Sequence, residues 1–341
     1  MDKNLYLRNL SEALSDVTLN TEERDLCLNY ASRLLSNNLP VIFDLKHLSL
    51  LLGLTAENLS KYLYLPSEKI YKSYDIPKKN FGYRSLQIPC LQLKYIQRWI
   101  LDNILYNIPL SEHSTGFNRR CSILKNARMH LGSQCVINMD LEGFFPSIKY
   151  KTIFRIFYQY GYSKKVSYIL ARLCTIDSAL PQGSPASPYL ANLACLQLDK
   201  RIHSLCQKFK ANYSRYADDI TISGRSNITK LLPTIESIIL NEHFKINKNK
   251  TRIAFTHQHQ EVTGLTINNN KITVSKKFKK DLKQTIYYCL KYGPYDHQAH
   301  INDEHAFFKE HLYGKIYFLK SIEPDLANKL IEDLNKISWD Y

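Results

Sequence analysis

Asp140, Asp218 and Asp219 are the residues of this 341-residue chain whose types and spacing could do chemistry. The two neighbours repel each other, and two readings account for them. They could cap a hairpin as an Asx-type turn, or they could offer hard oxygen ligands to a divalent cation such as Mg2+. A third carboxylate would favour the cation, and Asp140 supplies one about eighty residues earlier. If all three acids lie at neighbouring strand ends, they match two-metal phosphoryl transfer. In that chemistry two cations about 3.5–4 Å apart activate a hydroxyl and stabilise a leaving oxygen.

The flanking residues predict the elements that would hold these acids. Tyr213 to Tyr216 and Ile220 to Ser223 are β-prone runs on either side of a polar turn, with Ile220 and Ile222 giving one buried face. Cys135 to Asp140 is an apolar run that reads as a buried central strand, and the chain leaves it through Gly143 and Pro146. Residues 1–65 have mixed helical leucine spacing. The stretch from Leu48 to Leu59 reads either as a helix-turn-helix or as part of an extension packed on the main body. Tyr71 to Pro89 is β-prone and basic, and an amphipathic helix is predicted from Leu91 to Ile108. Ile153 to Tyr160 is predicted helical, and Leu180 to Asn192 reads as a loop feeding one long helix through Ile202. Ile228 to Leu240 is predicted helical, Phe244 to Ile253 a basic strand, and Glu261 to Val274 a hairpin turned at Asn268 to Asn270. Residues 276–286 alternate an apolar stripe of Phe278, Leu282 and Ile286 with a basic face.

Tyr216-Ala217-Asp218-Asp219, preceded in order by Asp140 and by Leu180-Pro-Gln182-Gly183-Ser-Pro185, resembles the catalytic motifs of reverse transcriptases. The resemblance runs from about residue 71 to 320. Two further elements narrow it to the retron type: Asn126-Ala127-x-x-His130, ahead of the first aspartate, and Val262-Thr263-Gly264. It implies an α+β right-hand polymerase with fingers, palm and thumb, an antiparallel palm sheet and a helical thumb. The expected divisions are a helical extension over 1–65, fingers over 66–134, palm over 135–267 and thumb over 268–341.

The resemblance implies Asp140, Asp218 and Asp219 as catalytic residues, with Asp140, Leu141, Asp218 and Asp219 holding two Mg2+ ions. For the incoming dNTP it implies Lys78 (or Lys79), Arg84, Phe145, Gln182, Gly183 and Lys250. A guanidinium at Arg84 can clamp phosphate oxygens in a fork, although a solvated basic hairpin explains the same residues. Phe145 would meet a 2′-hydroxyl and so select deoxynucleotides, while one of Phe144 and Phe145 belongs to the core. Gln182 offers a donor and an acceptor, and Gly183 permits close backbone approach. Lys250, in Asn247-x-x-Lys250-Thr251, could protonate pyrophosphate. RNA and template contacts are expected at Asn126, His130, Val262, Thr263, Gly264, Lys276, Lys277, Lys279, Lys280 and Lys283. A helical His is also commonly structural, and a lysine face commonly solvated.

A net charge of +15, with 24 Tyr and 14 Phe able to stack on bases, fits a polyanionic partner. With 44% hydrophobic residues the chain can bury a sizeable core. Its eight cysteines contain no C-x-x-C pair and read as reduced core residues in a cytoplasmic protein. The first residues contain no basic run followed by an apolar one, which predicts neither secretion nor a membrane span. The partners implied are a structured noncoding RNA of msr-msd type and its branched DNA product (msDNA), dNTPs, a defence effector protein and host RNase H activity. Two rival readings fit the same sequence: another bacterial defence or group II intron-like reverse transcriptase making linear DNA, and a basic RNA-binding scaffold with a vestigial site.

Overall fold

The computed structural model describes residues 2–77, 82–119, 121–302 and 306–339. The chain divides into two compact units, one of residues 1–119, 141–202 and 234–247, the other of 120–140, 203–233 and 248–341.

In the first unit the leucine-rich N-terminal region forms helices Lys3–Ser15, Thr21–Ser36, Leu45–Leu51 and Ala56–Tyr64. The second starts at a capping box: the Asn20 side chain accepts from Glu23 N at 2.8 Å, and Glu23 accepts from Asn20 N at 3.0 Å. Leu34, Leu48 and Leu59 are fully buried. Arg33 donates to Gly161 O and Arg172 to Leu63 O, both at 2.9 Å, while the Tyr162 hydroxyl donates to Pro40 O at 3.1 Å. These contacts make the region a packed extension rather than a free helix-turn-helix.

Strands β1 (Tyr71–Pro77) and β2 (Tyr83–Pro89) form the expected antiparallel hairpin, and helix Leu91–Asn103 follows. Leu93, Ile96 and Ile100 lie along the buried stripe of that helix. Helix Tyr150–Gln159 agrees with the spacing. The single helix expected through Ile202 is instead two, Ser187–Ala194 and Leu196–Lys208, interrupted at Cys195.

The second unit is built on β3 (Cys135–Asp140), β4 (Asn212–Tyr216), β5 (Asp219–Gly224) and β6 (Arg252–Phe255), antiparallel in the order β4-β5-β3-β6. β3 is central, as its apolar run predicts. The basic strand expected from Phe244 onward is shorter than its pattern: only Arg252–Phe255 pairs with β3, and Lys248–Lys250 coils into a 3-10 turn. The expected hairpin over Glu261 to Val274 is a three-stranded meander of β7 (Glu261–Val262), β8 (Leu265–Thr266) and β9 (Thr273–Val274). Its first turn falls at Thr263-Gly264, where both residues take left-handed φ of 47° and 82°. Such a two-residue turn matches strand twist and suits glycine, whereas β-branched Thr263 is strained there.

Helices Lys276–Tyr292, Pro294–His300, Phe308–Lys320 and Pro324–Leu334 complete this unit. Leu282, Ile286, Leu312, Ile316, Leu319 and Leu330 bury one face each in a cluster that also contains Val136, Val262 and Leu265. The predicted apolar stripe of the first of these helices is therefore its core face. All eight cysteines are free thiols. Among the described residues no helix is long and apolar enough to cross a membrane.

Candidate active site

The strand registers bring the three aspartates together. Asp140 ends β3 directly opposite Asp219, which begins β5, and Asp219 in turn pairs with Tyr216 at the end of β4. The β4–β5 connection is therefore only Ala217-Asp218, a hairpin tip. Ala217 takes φ 58°, an uncommon conformation for a residue with a Cβ. Arg215, completely buried, donates from Nη1 to Ala217 O at 3.0 Å and braces that turn.

Directly paired residues project from the same sheet face. Asp140, Asp219, Asn138, Thr221, Ser214 and Ser223 thus share one face, while Ile137, Met139, Ile220 and Ile222 form the buried apolar face opposite. On the acidic row Lys250 Nζ donates to Asp140 Oδ1 at 2.7 Å. The Asp219 carboxyl is pushed up to about 6, chiefly by loss of hydration, then by Asp218 and Asp140; Lys250 pulls the other way. Asp218 and Asp140 both crowd the Asp219 carboxyl with like charge, which a divalent cation would relieve, and carboxylate oxygens are the donors that suit Mg2+. Leu141 has a buried apolar side chain and can offer only its carbonyl oxygen.

In the first unit, Phe144 is buried and packs at 5.9 Å from Phe244, so it is the core member of the aromatic pair. Phe145 is half-buried, its ring 6.2 Å from Phe117 and 5.4 Å from Phe144. Gln182 O accepts from Gln87 N of β2 at 2.8 Å. Gly183 follows at φ 140°, where a Cβ would stand 2.6 Å from Gln87 O. The close approach that requires glycine here is to β2 itself. Arg84 lies exposed on β2; Lys78 and Lys79 fall outside the described residues.

Several expected RNA contacts are corrected. His130 is completely buried, its Nε2 2.7 Å from Ser214 Oγ and its Nδ1 2.8 Å from Ser223 Oγ. Burial drives its pKa down to about 3, so it is a neutral ring within the protein rather than a template contact. Val262 is a core residue. Asn126 is buried as well, and its amide reaches Thr263 Oγ1 at 3.4 Å, linking the two retron-type elements directly. Thr263 is half-buried and Gly264 exposed. Lys279 turns away from the basic face to pair with Glu323 at 2.8 Å, and the other oxygen of Glu323 accepts from Val274 N. Lys276, Lys277, Lys280 and Lys283 remain exposed, three of them on one helical face at positions i, i+4 and i+7.

Sequence reasoning passed over Arg215, Ser214 and Ser223. The available signal was polar side chains inside the β-prone runs Tyr213 to Tyr216 and Ile220 to Ser223.

The reverse transcriptase (RNA-dependent DNA polymerase) family model matches residues 76–279. The Retron Ec86 reverse transcriptase of Escherichia coli is 33% identical over 313 residues, 91% of this chain and 94% of the relative. The Retron Mx65 reverse transcriptase of Myxococcus xanthus is 28% identical, covering 93% of this chain and 78% of its own. A solved telomerase structure from Candida albicans, with a fragment of telomeric RNA, aligns over 83% of this chain and 59% of its own. It does so at 12% identity and a TM-score of 0.47.

Proposed function

The chain belongs to the retron-type reverse transcriptases, right-hand RNA-directed DNA polymerases, and we propose that it copies a structured noncoding RNA into branched RNA–DNA. In this reading the first deoxynucleotide is joined to the 2′-hydroxyl of an internal guanosine of that RNA. The product serves anti-phage defence together with an effector protein, and host RNase H activity trims the copied template. The reaction is cytoplasmic.

The pairing of Asp140 with Asp219, one residue from Asp218 on a braced turn, carries the polymerase part. We assign these three side chains, with the Leu141 carbonyl, as the holders of two Mg2+ ions. When bound, those ions acidify the attacking hydroxyl and neutralise charge on the leaving oxygen. The hydroxyl oxygen bonds to the α-phosphorus as the bond to pyrophosphate breaks. Lys250, already within hydrogen-bond distance of Asp140, delivers a proton to the departing pyrophosphate. Phe145 excludes the 2′-hydroxyl of a ribonucleotide, and Arg84, Gln182 and Gly183 contact the dNTP, joined by Lys78. The exposed lysines 276, 277, 280 and 283 follow the duplex backbone. We also assign fingers over 66–134, palm over 135–267 and thumb over 268–341, preceded by the helical extension.

The retron part rests on identity across nearly the whole length of a retron enzyme, and on the linked Asn126 and Thr263 elements. It is tested by purifying the protein from cells carrying its native flanking DNA and sequencing the bound nucleic acid with and without 2′,5′-debranching. One DNA species whose 5′ end is released by debranching supports the reading. Linear DNA moves the protein to another reverse-transcriptase class. RNA binding without dNTP incorporation would mean a vestigial site.

A further inference from the structure

The polar face of the palm sheet is organised in rows. Asp140 and Asp219 form the row at the strand ends. In the next row Thr221 Oγ1 donates to Asn138 Oδ1 at 3.1 Å, and Asn138 Nδ2 donates to Glu261 O at 3.0 Å. One row further, Ser223 on β5 sits opposite Val136, and His130 spans from it to Ser214 on β4. Ser133 Oγ donates to Ser223 Oγ at 2.9 Å. Ser223 accepts from Ser133, so its own proton is available to His130 Nδ1, and in the tautomer that uses it Nε2–H donates to Ser214 Oγ.

A neutral imidazole presents one donor and one acceptor on opposite sides of a rigid ring. That combination bridges two hydroxyls on adjacent strands with little freedom. The ring, Ser214 and Ser223 are all fully buried, so water does not compete for these bonds.

The hairpin it bridges is under load. Its tip carries a left-handed alanine, and its like-charged carboxylates push against Asp140 on the neighbouring strand. Small changes in hairpin twist would move Asp218 and Asp219 against Asp140.

We infer that His130 is a positioning residue for polymerisation: it ties β4 to β5 beneath the acidic row and sets the placement of Asp218 and Asp219 relative to Asp140. The inference rests on the assignment of those aspartates to metal binding. His130 touches neither substrate nor metal in this role. It acts through Ser214 and Ser223.

The test replaces the whole network by apolar groups, His130→Leu with Ser214→Ala and Ser223→Ala, because removing all partners together avoids stranded buried donors and acceptors. Wild type, the triple variant and Asp218→Asn are compared for melting temperature, RNA affinity, kcat, KM for dNTP and the Mg2+ concentration at half-maximal rate. The expected triple variant is folded, binds RNA and dNTP within about twofold of wild type, loses ~10- to 100-fold in kcat, and needs several-fold more Mg2+. A folded triple variant with wild-type kcat and Mg2+ dependence overturns the inference. Should the triple variant not fold, Ser214→Ala/Ser223→Ala with His130 retained is read by the same criteria. If Asp218→Asn keeps its activity, the aspartate assignment fails instead, and the clamp role with it.

Discussion

The Lys250 ammonium donates to Asp140 Oδ1 at 2.7 Å and so occupies one of the oxygens that a cation would use. The Lys250 side chain is 60% exposed and that of Asp140 only 13%. The pair is half in water and cheap to open, a pairing of the class worth about 0–1 kcal/mol. Lys250→Met should therefore tighten Mn2+ binding to the resting protein several-fold, by removing a competitor. At saturating metal it should still slow dNTP incorporation by ~10²-fold, the usual scale of a lost proton donor. Unchanged Mn2+ affinity would refute the competition, and an unchanged rate would refute the proton-donor role.

Asp219 should make the metal-free protein less stable as pH rises. Its folded pKa of about 6 lies above the ordinary 3.8, so the folded state holds the proton more tightly. That stabilisation is complete below about pH 4 and is lost as pH rises through about 6. In chelator, Asp219→Asn should melt above wild type at pH 7.5, with the gap closing toward pH 4; Mg2+ should erase the wild-type deficit. Parallel melting curves at both pH values would contradict this.

His130 carries the opposite sign. Its folded pKa of about 3 lies below the ordinary 6.5, so its contribution is present above about pH 6.5 and is lost as pH falls toward 3. The loss is on the order of 4 kcal/mol. Urea unfolding of wild type should weaken over this range, and the His130→Leu/Ser214→Ala/Ser223→Ala variant should show a shallower fall. Equal slopes for the two proteins would mean that the acid sensitivity originates elsewhere.

Phe144 and Phe145 should separate stability from sugar selection. Phe144→Ala removes a buried ring and should cost about 3–5 kcal/mol in chemical denaturation. Phe145→Ala, at a half-buried ring, should cost less and raise ribonucleotide incorporation relative to deoxynucleotide by tenfold or more, about 1.4 kcal/mol of lost discrimination. Unaltered sugar preference in Phe145→Ala would remove that residue from the dNTP assignment.

Gly183→Ala should disrupt the strand contact before it touches any nucleotide. The new Cβ would meet Gln87 O at 2.6 Å from a backbone already at φ 140°, a strain of about 2–3 kcal/mol. Hydrogen exchange of the Gln87 amide, which donates to Gln182 O, should accelerate in the variant. Wild-type protection would show that the loop absorbs the methyl group.

The acidic trio is legible in the sequence because its signals are local. A strand ending in Asp140, alternation through Ile220 and Ile222, and a two-residue turn between β-prone runs each depend on near neighbours in the chain. The stripe of Phe278, Leu282 and Ile286 was readable for the same reason. Burial of a particular polar side chain is different, since it depends on partners remote in sequence. His130 meets Ser214 across 84 positions and Ser223 across 93, and Lys279 meets Glu323 across 44. The family resemblance alone makes His130 a candidate RNA contact, and helical spacing alone makes Lys279 one of five equivalent lysines. Only the packed sheet turns the histidine into an internal tie, and only Glu323, just ahead of helix Pro324–Leu334, withdraws that lysine from the basic face. Periodicity tells which side of an element is apolar, and tertiary structure decides what each polar residue on it is bonded to.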